Sequence, residues 1–94
     1  MKYFDWDELK NIKLKAEREI GFEDVLTAID EGNLLDDITH PNQKQYKGQR
    51  IFIVQINDYV FLVPYMEDNE KYFLKTIYAS RKFTSKYLSK GRKR

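Results

Sequence analysis

Lys44, Tyr46, Lys47, Arg50, Lys75, Tyr78, Arg81, Lys82 and Tyr87 form a basic, tyrosine-rich set in the second half of this 94-residue chain. Lysine holds phosphate as a point charge and arginine as a planar fork. Tyrosine stacks on bases or exchanges protons. Cleaving RNA through its own 2′-hydroxyl needs a group to take that proton, cations over the charged phosphorane, and an acid for the leaving 5′-oxygen. Lysine, arginine and tyrosine can supply all three without a metal, provided one of them has a shifted pKa. The same residues also suit a plainer use, with tyrosines packing a sheet and basic groups keeping it soluble. Composition by itself favours the plainer use.

Other chemistries are excluded more firmly. The chain has no cysteine, so disulfides and thiolate metal sites are ruled out. His40 is its single histidine, which removes a multi-histidine metal site and leaves a Ser-His-Asp arrangement a remote option beside Pro41. The glycines are isolated, so no phosphate-binding loop is present, and no cofactor is implied. Residues 1–40 carry five Lys/Arg against eleven Asp/Glu, whereas residues 41–94 carry twelve against four. That asymmetry suits one surface for an anionic partner and another for a basic one, and equally a set of merely solvated charges. No apolar run approaches the roughly 20 residues of a membrane span, and Met1–Asp7 lacks a signal peptide's apolar segment. The expectation is one soluble cytoplasmic domain over residues 1–90 without a membrane partner, followed by a disordered basic tail, 91–94.

The elements that must position the basic set centre on Gly48–Tyr65, where two apolar runs meet at Asn57-Asp58. Continuous runs of this kind predict strands buried on both faces, joined as an antiparallel hairpin. Upstream, Asp5 and Glu8 stand at N-cap and N3 spacing, and Leu9, Ile12, Ala16 and Ile20 form the expected buried stripe of a helix ended by Gly21. Phe22–Glu31 predicts a second helix closed by Gly32, and Asn33–His40 a short edge strand before an exposed loop, 41–49. Lys71–Ala79 predicts one strand with Tyr72, Leu74, Thr76 and Tyr78 on one face, and Thr84 caps a final short helix. The fold class expected is α+β: an antiparallel sheet covered on one face by two N-terminal helices, with a short C-terminal helix.

Several short stretches in this order resemble one known family. They are Trp6-Asp7-Glu8-Leu9-Lys10, Gly21-Phe22-Glu23-Asp24-Val25, Arg50-Ile51-Phe52-Ile53, Leu62-Val63-Pro64-Tyr65 and Ile77-Tyr78-Ala79-Ser80-Arg81-Lys82-Phe83-Thr84. Together they look like the BrnT family of bacterial toxins, within the RelE-like ribonucleases, over residues 3–88. The family's Lys-His-Gly between the helices is replaced by Arg18-Glu19-Ile20-Gly21, so no role of that histidine carries over, and its Ser-Ala pair is inverted to Ala79-Ser80. The resemblance implies a metal-independent endoribonuclease that blocks translation. It also implies an adjacent-gene antitoxin that neutralises the toxin and meets operator DNA, so that the toxin touches DNA only through it.

Position by position, Arg50 and Arg81 match family arginines and would stabilise charge at the scissile phosphate, with Tyr78 as a proton-transfer or stacking residue. Lys44, Lys47, Lys75 and Lys82 would hold the RNA backbone, and the antitoxin is expected across the exposed sheet and the Lys44–Arg50 region. A non-catalytic binding module on the same fold is the alternative, and a topoisomerase-directed toxin a more distant one.

Overall fold

Ile51, Ile53, Val54, Val60, Val63 and Tyr65 are each at most 2 % exposed, as continuous apolar runs in a doubly covered sheet require. A computed structural model of the chain describes residues 2–89, so the expected tail 91–94 lies outside the described residues. In chain order the elements are β1 (Tyr3–Trp6), α1 (Glu8–Arg18), α2 (Phe22–Asp30), β2 (Leu34–Thr39), β3 (Arg50–Ile56), β4 (Tyr59–Glu67), β5 (Lys71–Leu74), β6 (Tyr78–Ala79) and α3 (Arg81–Thr84). A single π-helical turn, Ser85–Ser89, follows. The α+β class expected from the sequence is the one observed, with α1 and α2 on one face and α3 on the other.

The sheet runs β1-β5-β4-β3-β2, with β6 pairing the first part of β4. Asn57 takes a left-handed φ of 60° at the β3–β4 turn, as the Asn-Asp pair predicted. All pairings are antiparallel except β1 with β5, which is parallel, so the sheet is mixed. Side chains alternate along β3: Phe52 and Val54 join Leu14, Phe22 and Val25 beneath the helices, whereas Ile51 and Ile53 join Val60 and Leu62 beneath Phe83, Tyr87 and Leu88. Tyr65 stacks flat on Phe52, with centroids 3.8 Å apart, and Trp6 stacks on Phe22 at 5.4 Å.

Five local expectations are corrected. Three of the four residues of the stripe assigned to α1 face water, with Leu9 76 % and Ile12 55 % exposed and Ala16 exposed as well, whereas Ile20, beyond the helix end, is buried in the core. The face turned inward carries Leu14 and a fully buried Asn11. Asn11 can be buried because every polar atom of its amide is bonded: its Oδ1 accepts from Phe22 N at 2.7 Å and its Nδ2 donates to both Glu23 oxygens at 3.0 and 3.1 Å. The N-cap is Asp7 in place of Asp5, with Oδ1 accepting from Leu9 N.

Gly21 does not supply a left-handed terminator. Glu19 does that at φ 59°, while Gly21 caps α2 at φ −129°. A Cβ on Gly21 would stand 2.6 Å from Lys15 Cε and 2.9 Å from Asn11 Oδ1, so space is what demands glycine there. The strand expected over 71–79 is broken at Lys75–Ile77, where Arg18 reaches from α1 to donate to the Ile77 carbonyl. The final helix starts earlier than expected, capped by the Ser80 hydroxyl, which accepts from Phe83 N at 3.1 Å. Thr84 lies at its end and its hydroxyl accepts from Val60 N.

Candidate nucleic-acid interface on the open half of the sheet

The break at Lys75–Ile77 decides where the candidate tyrosine goes. Tyr72 and Leu74 lie on the α1/α2 side. Beyond the break Tyr78 pairs with Leu62, which belongs to the opposite cluster, so Tyr78 emerges on the α3 side. There α3 and the π-turn pack over Ile51, Ile53, Val60 and Leu62. The other half of that face is open, and Met66 and Tyr78 are each 38 % exposed on it.

The loop 40–49 rises beside this open half and is built by its own polar groups. Gln43 Nε2 donates to the carbonyls of His40 (2.9 Å) and Gln49 (3.1 Å), and its Oε1 accepts from Gly48 N (3.0 Å). Asn42 N donates to His40 Nδ1 at 3.1 Å, which leaves Nε2 as the ring nitrogen available to solvent. The His40 and Tyr46 rings then stack with centroids 4.4 Å apart. Between loop and sheet lies a cleft of about 200 Å³, lined by His40, Tyr46, Gln49, Pro64, Lys75, Thr76 and Tyr78. Burial, and then the neighbouring Tyr46 hydroxyl, push the Tyr78 phenol above its usual range. A phenol shifted that way stays protonated at neutral pH, so it can donate a proton or hydrogen bond but is a poor base.

One cation lines the cleft and others are exposed on the elements that flank the sheet. The first is Lys75, with Nζ 5.4 Å from the Phe73 ring centroid, and Lys44 and Lys47 are exposed on the loop. Arg81 and Lys82 are exposed at the start of α3, Lys82 lying 5.8 Å over the Phe83 ring. Among the described residues none of these five forms an ion pair. Tyr87 is committed elsewhere: its hydroxyl donates to Asp36 Oδ2 at 3.2 Å. A larger depression of about 430 Å³ lies at the far end, between α2 and the hairpin tip, but Glu19, Asp24 and Glu31 line it and would repel a polyanion.

Arg50 is separated from this group. It pairs with Tyr65 across β3–β4, on the α1/α2 face. Its Nε donates to Asp37 Oδ1 and to the Tyr65 hydroxyl, both at 3.2 Å, its Nη1 to Thr39 Oγ1, and its Nη2 to the Asp37 carbonyl. The Tyr65 hydroxyl in turn donates to Asp37 Oδ1 at 2.7 Å. The Tyr65 and Asp37 contacts raise the Arg50 pKa, while burial, reinforced by Asp37, raises that of Tyr65. The sheet therefore lies between Arg50 and Tyr78, and one phosphate cannot sit against both. His40, Gln49 and Thr76 are the cleft residues that sequence reasoning missed. Their approach depends on loop closure, and a lone histidine beside proline gave no periodic signal.

No protein-family model matches the chain, and no curated protein matches it. Among solved structures it is similar to the ribonuclease toxin BrnT of Brucella abortus, with a TM-score of 0.62 over 85 % of this chain and 97 % of that one, at 16 % identity. The chain has a BrnT-like fold. The likeness spans nearly the whole of the Brucella protein. At this identity the likeness is one of architecture, and the residues on the BrnT-like scaffold have to be argued from their own geometry. Among the described residues no helix is long and apolar enough to cross a membrane.

Proposed function

We propose that this chain is the toxin of a toxin–antitoxin pair: a metal-independent endoribonuclease that blocks translation and is neutralised by a protein encoded beside it. The observation that carries this reading is an open cleft lined by Lys75, Tyr46 and Tyr78, with further exposed cations on the flanking loop and helix of a BrnT-like fold. In the reaction the 2′-oxygen bonds to phosphorus as its proton leaves to water. The bond to the 5′-oxygen breaks, and that oxygen takes a proton, giving a 2′,3′-cyclic phosphate and a free 5′-hydroxyl. Tyr78, held protonated, is suited to protonate the leaving oxygen, and Arg81 with Lys75 to neutralise the phosphorane. Lys44, Lys47 and Lys82 would hold the flanking backbone. Arg50, engaged by Asp37 and Tyr65, is better suited to fixing the strand ends from which the 40–49 loop springs than to touching the phosphate.

The antitoxin would cover the same basic half-sheet with an acidic or amphipathic segment, and operator DNA would be reached only through it. The test is induced expression in a bacterial host, alone and with the adjacent gene, following growth and RNA ends. Growth arrest with new 5′-hydroxyl ends, relieved by the neighbour and abolished by Arg81→Ala, is expected. Normal growth with intact RNA refutes the reading. The second reading, a non-catalytic binding module on the same fold, would show as salt-sensitive RNA binding with no new ends.

A further inference from the structure

We infer that the cleft between the 40–49 loop and the sheet receives one unstacked nucleobase of a single RNA strand, with Tyr46 as its stacking wall and Gln49 reading its edge. The inference rests on the ribonuclease reading above and adds the subsite that would choose the substrate's sequence. Size sets the first limit. At about 200 Å³ the cleft is smaller than the roughly 300–1,000 Å³ that drug-sized ligands occupy, and it suits a single planar ring system.

The lining sets the second limit. His40 backs Tyr46 ring to ring at 4.4 Å, so the tyrosine is braced as a platform, and Pro64 gives the cleft an apolar surface. Bases splayed out of a single strand are held on such aromatic platforms. The polar tips set the third. Among the described residues the Gln49 amide, the Thr76 hydroxyl and the hydroxyls of Tyr46 and Tyr78 make no side-chain hydrogen bond, whereas Gln43 on the same loop uses its amide fully. An amide carries both donors and an acceptor, the combination that the Watson–Crick edge of a base can pair with. Lys75 at the rim and Lys44 and Lys47 on the loop lie where the phosphates on either side of that base would pass, and 41–49 holds no acidic residue to oppose them.

The test uses the intact chain and four 2′-O-methyl hexamers, of A, C, G and U, which lack the attacking hydroxyl and cannot be cleaved. Affinity is read by fluorescence anisotropy at fixed salt. The wild type is expected to prefer one hexamer. Tyr46→Ala weakens that hexamer about tenfold, the scale of one lost stacked base, while Tyr46→Phe keeps the affinity. Gln49→Ala narrows the differences among the four. Tyr46→Ala binding within twofold of wild type, with an unchanged circular dichroism spectrum, overturns the inference. Should Tyr46→Ala disturb the fold, Gln49→Ala decides alone: unchanged preference overturns the inference, and flattened preference sustains it. Cleavage of natural RNA by the same preparations separates the two levels. A wild type that cleaves RNA while Tyr46→Ala binds hexamers normally leaves the ribonuclease reading standing and removes the base cleft. A wild type that neither binds nor cleaves removes both.

Discussion

The hydroxyl of Tyr65 gives the sharpest quantitative prediction, because Tyr65→Phe removes it and leaves the ring stacked on Phe52. The residue is 1 % exposed, and its hydroxyl donates to Asp37 at 2.7 Å while accepting from Arg50 Nε at 3.2 Å. A hydrogen bond to a charged group contributes about 1.5–3 kcal/mol, and Asp37 and Arg50 remain partly open to water, so the low end applies. We expect Tyr65→Phe to cost about 1.5 kcal/mol at pH 7, or roughly 6–12 °C in Tm for a domain of this size. The pH dependence then identifies the cause. The folded-state pKa of Tyr65 is raised, so its contribution is fully present below the unfolded value near 10 and is lost as pH rises beyond it. Above pH 10 the wild type loses about 1.4 kcal/mol per pH unit that the phenylalanine variant does not. Groups common to both chains cancel in the difference. The two stabilities should therefore converge near pH 11, one unit past the point where the loss begins. Urea unfolding of both chains at pH 7, 9, 10 and 11 measures this. Parallel curves from pH 9 to 11 would refute the argument that this hydroxyl is held protonated by burial and by Asp37.

Two further expectations concern α1 and its exit. Asn11→Leu strands the Phe22 N–H in the core and should lower stability by about 2–3 kcal/mol, read as a drop in the urea midpoint without a change in slope. Glu19→Gly relieves a left-handed φ of 59° and should raise stability by about 0.5–1 kcal/mol in the same assay. A neutral or lower midpoint for Glu19→Gly would show that the helix exit is not strained.

The central hairpin was fully legible in the sequence because burial on both faces leaves an unbroken apolar run with turn residues between. The α1 face was not, because apolar spacing marks the inward side only when the inward side is apolar. Here a satisfied Asn11 took the buried position, and Leu9 and Ile12 were left outside. The site was half legible. Residue types picked out Lys44, Lys47, Lys75, Tyr78, Arg81 and Lys82, and the fold gathers Lys75 and Tyr78 into one cleft. Period-two reasoning put Tyr78 on the face of Tyr72, since nothing in the letters marks the break at Lys75–Ile77, where Arg18 takes the Ile77 carbonyl. For Arg50 the sequence supplied the charge, but its neighbours Asp37 and Tyr65 come together only through strand pairing.

The parallel pairing of β1 with β5 also bears on how the chain is made. Tyr3 sits opposite Lys71 and Trp6 opposite Leu74, so β1 waits for a partner made nearly seventy residues later. The hairpin of β3 and β4 can close between near neighbours, but the sheet has no place for β1 until β5 has docked on β4. Contacts this far apart in sequence carry a loop-closure cost before they return any stability. The Tyr78 side of the cleft lies four residues beyond Leu74, on the same late segment. A chain stalled before that segment therefore holds His40, Tyr46, Gln49 and Pro64 but not the Lys75–Tyr78 wall, and the cleft closes only once that segment has been made.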